Sequence, residues 1–216
     1  VGYINLGSVK NVVSYVNINN DKYGSQVTHA GGIIGSVGND KTDIEKCMYY
    51  GNIHLNNSSD CIGGVIAYSN GGARVKNCAN LGTVTATQSG AYVGGILGYL
   101  NNTNPTIENC YNYAKISDNG SGIHCGAIIG WARNFNKSNI ANNYYNKDTG
   151  NTPFGTDSKL GLSANEKTIS EFKCGEVAFK LNNGVTDGTQ VWYQNIDNGL
   201  TPDDYPVFNG GTVYYA

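Results

Sequence analysis

Two sets of side chains in this sequence have types and spacings that could do chemistry. His29, Cys61, Tyr92 and His124 follow one another at 32, 31 and 32 residues. Stacked as a column, His29 and Cys61 would offer two soft metal ligands, or a thiol beside a base. Two ligands are too few for a metal centre, and the histidines fall three repeats apart. The second set is Tyr3, Ser36, Tyr68, Tyr99 and Trp131. Tyrosine and tryptophan present a flat apolar face with a polar edge, a surface on which a sugar ring stacks. Tyr68, Tyr99 and Trp131 are therefore candidate glycan-binding residues. The plainer reading of the same column is an internal stacking ladder, because aromatic residues fill and cover strands in any case.

Glycan cleavage would need carboxylates converging in a groove. The repeated charged positions, Lys10, Glu45, Lys76 and Glu108, instead alternate in sign, as a surface ladder that opposes mis-stacking would. Asp40, Asp43, Asp60 and Asp118 fall mainly in expected turns. The chain has no HExxH, GxSxG, phosphate-loop, EF-hand or dinucleotide motif. The expectation is a non-enzymatic chain with no catalytic residue, no metal and no cofactor.

The elements that must position these columns are set by a repeat. "AGGIIGS" from Ala30 returns as "IGGVIAY" from Ile62, "VGGILGY" from Val93 and "CGAIIGW" from Cys125. Cys47, Cys78 and Cys110 recur with the same period inside "IEKCMYYGNI", "VKNCANLGTV" and "IENCYNYAKI", with Val12 in their column. A period near 32 without an amphipathic helical pattern signals stacked strands. Each copy holds two short apolar strand candidates that can bury their faces only on neighbouring copies, so each full turn adds a layer of about 4.8 Å. The fold expected is all-β: a parallel β-solenoid of four to five repeats of 31–33 residues over 1–149, closed by a small α+β cap over 150–216.

The column view assigns further roles. The twin glycines let backbone approach backbone at a corner, and Ala67 and Ala127 in related positions indicate that small size matters more than positive φ. The cysteines read as a buried ladder of thiols, with disulfides as the rival. Asn11, Asn77, Asn109 and Asn142 suggest an amide ladder at a corner, interrupted by Lys46. In the cap, "TISEFKCGEVAFKLNNG" reads as one helix capped by Thr168 or Ser170, with Gly175 an interruption. "QVWYQN" and "GTVYYA" read as strands that cover the last open coil, with Trp192 in the cap core.

With 14 basic and 16 acidic residues among 216, the net charge of −2 gives no steering field for nucleic acid or anionic membrane. No apolar run is long enough to cross a bilayer. The chain opens at Val1, and its "GYIN" matches "GYLN" at Gly98, so it reads as a piece that begins within a repeat.

Over roughly Val9 to Asn146, the "GGIIG", "GGVIA", "GGILG", "GAIIG" and "CxNxG"-like phrases resemble GLUG-type repeats of bacterial surface proteins. Such repeats occur in adhesin-like proteins and in non-catalytic regions of some IgA-specific metallopeptidases. "EFKCGEVAFKLN" with "VWYQN" and "YPVF" is similar to a segment attached to such arrays in gut Firmicutes and Bacteroidetes. The resemblance implies a right-handed solenoid and an extracellular or cell-surface location. The role implied is stalk, spacer or adhesion module, with glycans, host or bacterial surface proteins, or other domains of the parent chain as partners.

Overall fold

The computed structural model describes residues 1–20, 29–56, 61–101, 105–119, 123–133, 139–155, 162–196 and 202–209. The strands stack as a parallel β-solenoid of about four turns. Each full turn has five strand segments where the sequence suggested two. One complete set is Cys61–Gly63, Ile66–Ser69, Ala73–Lys76, Ala79–Asn80 and Val84–Ala86. These and their equivalents define five sheets, numbered here in that order, containing four, five, five, six and four strands. The first coil enters at the second sheet with Tyr3–Ile4 and continues through Gly7–Lys10, Val13–Ser14 and Ile18–Asn20.

Alternation along each strand sends alternate residues inward, as with Ile53 and Leu55, and equivalent inward residues stack. Ile34, Ile66, Leu97 and Ile129 are register partners in the second sheet. Val9, Ile44, Val75, Ile107 and Ile140 are partners in the third. Together with Ile53, Val84 and Ile116 of the fifth they form one continuous buried core. Register is thereby strongly specified, since a slip of one residue would turn these chains outward.

The twin glycines lie where the first sheet turns into the second. A Cβ at Gly63 would come within 1.8 Å of the Ile66 carbonyl oxygen, and one at Gly64 within 2.3 Å of the Gly95 oxygen. Neither glycine has positive φ. Space, not backbone conformation, requires glycine here, as the alanine substitutions elsewhere in the pattern indicated. Another corner does need a left-handed residue. Asn11, Lys46, Asn77, Asn109 and Asn142 all have φ between 52° and 57°. Asparagine tolerates that region best among residues with a side chain, and the lysine adopts it in its coil as well.

The cap departs from expectation in three ways. Gly175, at φ 84°, divides the expected helix into α1 (Ile169–Lys173) and α2 (Glu176–Leu181). "QVWYQN" contributes only an isolated antiparallel bridge, Tyr193 to Val207, and "GTVYYA" lies outside the described residues. The cap also lies along the flank of the solenoid. Phe172, Val177, Leu181 and the fully buried Trp192 pack on Met48, Ala79, Tyr111 and Tyr144, one residue from each of four successive coils. The final coil is covered by preceding chain: Ala127 and Ile128 donate to the carbonyls of Thr152 and Pro153, and Asn165–Lys167 pairs in parallel with Tyr144–Asn146.

Candidate functional site

The tight glycine arch places the residue before it and the residue after it side by side on the surface of the same coil. His29 and Ser36, seven positions apart, join through Ser36 Oγ and His29 Nδ1 at 2.6 Å. The two columns singled out in the sequence thus merge into one aromatic wall. His29 stacks on Tyr68 of the next coil at 4.6 Å between centroids, with planes 8° apart. Tyr68 leans on Tyr99 at 5.4 Å. Tyr99 lies on Trp131 at 5.0 Å and 10°. Tyr92 inserts beside both, 4.8 Å from Tyr99 and 5.4 Å from Trp131, and His124 closes the row against Tyr92 and Trp131.

The structure therefore brings Tyr68, Tyr99 and Trp131 together as a half-buried stack, while Tyr3 stands exposed at the first coil opposite Ser36. Stacking along the solenoid axis covers ring faces with neighbouring rings and leaves mainly edges toward solvent. A sugar that stacks on an aromatic ring needs a face. His29, Tyr92 and His124 join the same wall, which single-column reading missed. The signal lies in their constant separation of seven residues from the second column across each glycine phrase.

The two phenol edges are satisfied locally, whereas the buried indole N–H of Trp131 has no hydrogen-bond partner among the described residues. Tyr68 donates to Asn70 Oδ1 and Tyr99 to Asn101 Oδ1, each at 3.1 Å, and Asn101 Nδ2 donates to Asn70 Oδ1 at 2.7 Å. The triplets "YSN" and "YLN" encode this arrangement. Burial raises the phenol pKa of Tyr68 and of Tyr99, and lowers that of the His29 imidazole. All three side chains are thus held toward their neutral forms.

The Ser36–His29 contact has the distance of a nucleophile and base. Acyl-transfer chemistry also needs donors for an oxyanion. The N–H groups of Gly35 and Ser36 are already taken by the carbonyls of Val1 and Gly2 at 2.8 and 2.9 Å. Ser36 occupies a position held by an aromatic ring in the next three coils, and its hydroxyl fits the histidine into the wall.

The remaining chemistry-bearing columns face one another in the same manner. Cys47, Cys78 and Cys110 are free thiols with no exposed surface, and the Cys78 amide lies 3.4 Å from Cys110 Sγ. A hydrogen bond with the neighbouring thiol and burial raise the Cys47 pKa, and burial raises that of Cys78. Burial also pushes Cys125 up to about 12. Thiols in such settings are poor nucleophiles. Outside, Lys10 pairs with Glu45 at 2.9 Å, Lys76 with Glu108 at 2.7 Å, and Arg74 with Asp43. Among the described residues, no three His, Cys, Asp or Glu side chains gather where they could hold a metal ion.

A further polar column, unassigned from sequence, is buried on the inner side of the fourth sheet. Asn80 and Asn112 have no exposed surface. Asn80 Nδ2 donates to Asn112 Oδ1 at 2.7 Å and to the Gly82 carbonyl at 2.9 Å, and Asn112 Nδ2 donates to the Ala114 carbonyl at 2.8 Å. Their "AN" and "YN" dipeptides follow the buried cysteine, a position where an apolar residue would ordinarily be expected. The chain matches no family model, no curated protein and no solved structure.

Proposed function

We propose that this chain is a non-catalytic structural module: a stiff segment of an extracellular stalk or spacer in a larger bacterial surface protein. The supporting observation is that its chemically suggestive columns are directed at their own neighbours. Tyr99 and Trp131 cover each other's faces, the surface charges pair between coils, and the thiols lie in the core. Such ladders add stiffness and register with every layer, which suits a rod that holds other domains apart. The bacterial and surface context rests on the resemblance of the glycine and cysteine phrases to GLUG-type repeats. The reading is tested on a glycan array with the folded chain beside a folded Tyr99→Ala/Trp131→Ala variant. A spacer gives no specific signal from either. Binding by the native chain that the folded variant loses would make the aromatic wall a recognition surface.

A further inference from the structure

Where the cap meets the left-handed corner of the solenoid, a hollow of about 160 Å³ lies between Asn77 and Asn109 on one side and the end of α2 with its following loop on the other. Asn182, at the end of α2, fixes that loop. Its Oδ1 accepts from the Val191 and Trp192 amides at 3.0 and 2.9 Å, and its Nδ2 donates to the Trp192 carbonyl at 2.7 Å. On the solenoid side an amide ladder reaches the hollow and stops. Asn142 Nδ2 donates to Asn109 Oδ1 at 2.7 Å, to the Lys180 carbonyl at 3.0 Å and to Asn183 Oδ1 at 3.3 Å. Asn77 and Asn109 hold the same place in adjacent coils, each with positive φ, yet the ladder does not continue between them. The Asn77 side chain is nine-tenths buried, lines the hollow and has no hydrogen-bond partner among the described residues.

We infer that this hollow binds one uncharged sugar unit, whose hydroxyl groups bridge the Asn77 and Asn109 amides. A buried amide without a partner costs free energy, and Asn77 brings both its donor and its acceptor unspent. Asn109, Asn183 and Gln190 spend their oxygens on Asn142 and Gly188, and bring unspent NH2 groups to the same lining. A hydroxyl both donates and accepts, so neighbouring hydroxyls on one ring match this set. Leu181 and Val191 add apolar surface for the ring C–H groups. Among the described residues no charged side chain lines the hollow, so a carboxylate or phosphate finds no cation there. The volume lies below the roughly 300 Å³ at which drug-sized sites begin, which suits a single ring. So small a ligand is held at roughly millimolar affinity, weaker than a glycan array retains. The site shares no residue with the aromatic wall and does not depend on the spacer reading, since a hollow beside the cap leaves the ladders of the rod intact.

The test titrates the isotope-labelled chain with glucose, galactose, mannose and N-acetylglucosamine in turn, following side-chain amide and methyl signals by NMR. At least one sugar is expected to shift the Asn77 and Asn109 amide signals and the Val191 methyls, saturating at roughly 1–50 mM, with the Tyr99 and Trp131 rings unmoved. Asn77→Gly removes the amide and keeps the left-handed backbone. Shown to be folded by circular dichroism, it should bind at least about fivefold more weakly. The Tyr99→Ala/Trp131→Ala variant should bind as the parent does. The inference is overturned if no sugar gives a saturable shift, which would leave water as the occupant. It is also overturned if folded Asn77→Gly binds as tightly as the parent, or if inorganic phosphate binds as well as the sugars. Shifts confined to the aromatic wall, and lost with Tyr99 and Trp131, would overturn it and the spacer reading together.

Discussion

Tyr99 and Trp131, register partners in adjacent coils, lie face to face with centroids 5.0 Å apart and planes 10° from parallel. The same rings that suggest a sugar platform in the sequence are covered by one another in the fold. Aromatic residues repeated at a solenoid period have this option because the layer spacing of about 4.8 Å is close to a stacking distance. That coincidence links the sequence period to the packing, and the packing to a structural role.

The glycine arch makes a sharp prediction. Gly64→Ala would drive its methyl group into the Gly95 carbonyl at 2.3 Å and the Asn80 side chain at 2.4 Å. Neither can retreat, because one is ladder backbone and the other is fully buried. We expect a loss of about 3 kcal/mol in denaturant unfolding or failure to fold. Gly2→Ala, with no atom within 4 Å of its added carbon, should stay within about 0.5 kcal/mol of the parent. Equal effects would refute the close-approach account.

At the left-handed corner, Lys46 holds φ 54° where four other coils use asparagine. Replacing it with glycine relieves a conformation that costs residues with a Cβ about 1 kcal/mol. Lys46→Gly should therefore raise the unfolding midpoint, whereas Asn77→Ala should lower it. A destabilised Lys46→Gly protein would show that the lysine side chain contributes more than its backbone costs.

Thiol labelling probes the core directly. All six cysteines are free, and Cys174 is the exposed one. A native sample should react rapidly at Cys174 alone, with the other five becoming reactive only on unfolding. Rapid native labelling of Cys78 or Cys110 would mean that the solenoid core opens far more readily than its packing implies.

The cap carries a pH dependence. Hydrogen bonds from the Lys167 ammonium, at 2.8 Å, and from the Thr168 backbone hold the Glu171 carboxyl at about 2, below its ordinary 4.5. A carboxylate depressed on folding contributes stability above about pH 4.5 and loses it as pH falls toward 2. Acid titration should loosen the cap across that window, read by the fluorescence of Trp192, with Trp131→Phe as background to isolate the signal. Glu171→Gln should flatten the transition; an unchanged profile would remove the capping pair as its cause.

The columns of the solenoid were legible because stacking preserves period: the glycine, cysteine, charge and aromatic positions all align as spacing indicated. Features between columns were less legible. His29 and Ser36 meet across an arch whose tightness depends on glycine backbones in contact, which no count of residues reveals. The flank position of the cap was missed because the repeat describes neighbours along the axis and says nothing of a segment packing across it. A signal was nevertheless present. Met48, Ala79, Tyr111 and Tyr144 form an apolar column directly after buried Cys47, Cys78, Cys110 and Asn143. Alternation turns such residues outward, where four apolar side chains in a row require a cover.

The central claim, that the aromatic wall is a structural stack, is tested most directly by a double-mutant cycle on Tyr99 and Trp131. Unfolding free energies are measured for the parent, Tyr99→Ala, Trp131→Ala and the double variant. The account predicts a favourable coupling of about 0.5–1.5 kcal/mol between the two rings, beyond what each loses alone. Additive losses with no coupling, in single variants that remain folded, would contradict it and return both rings to the solvent as a surface for a ligand.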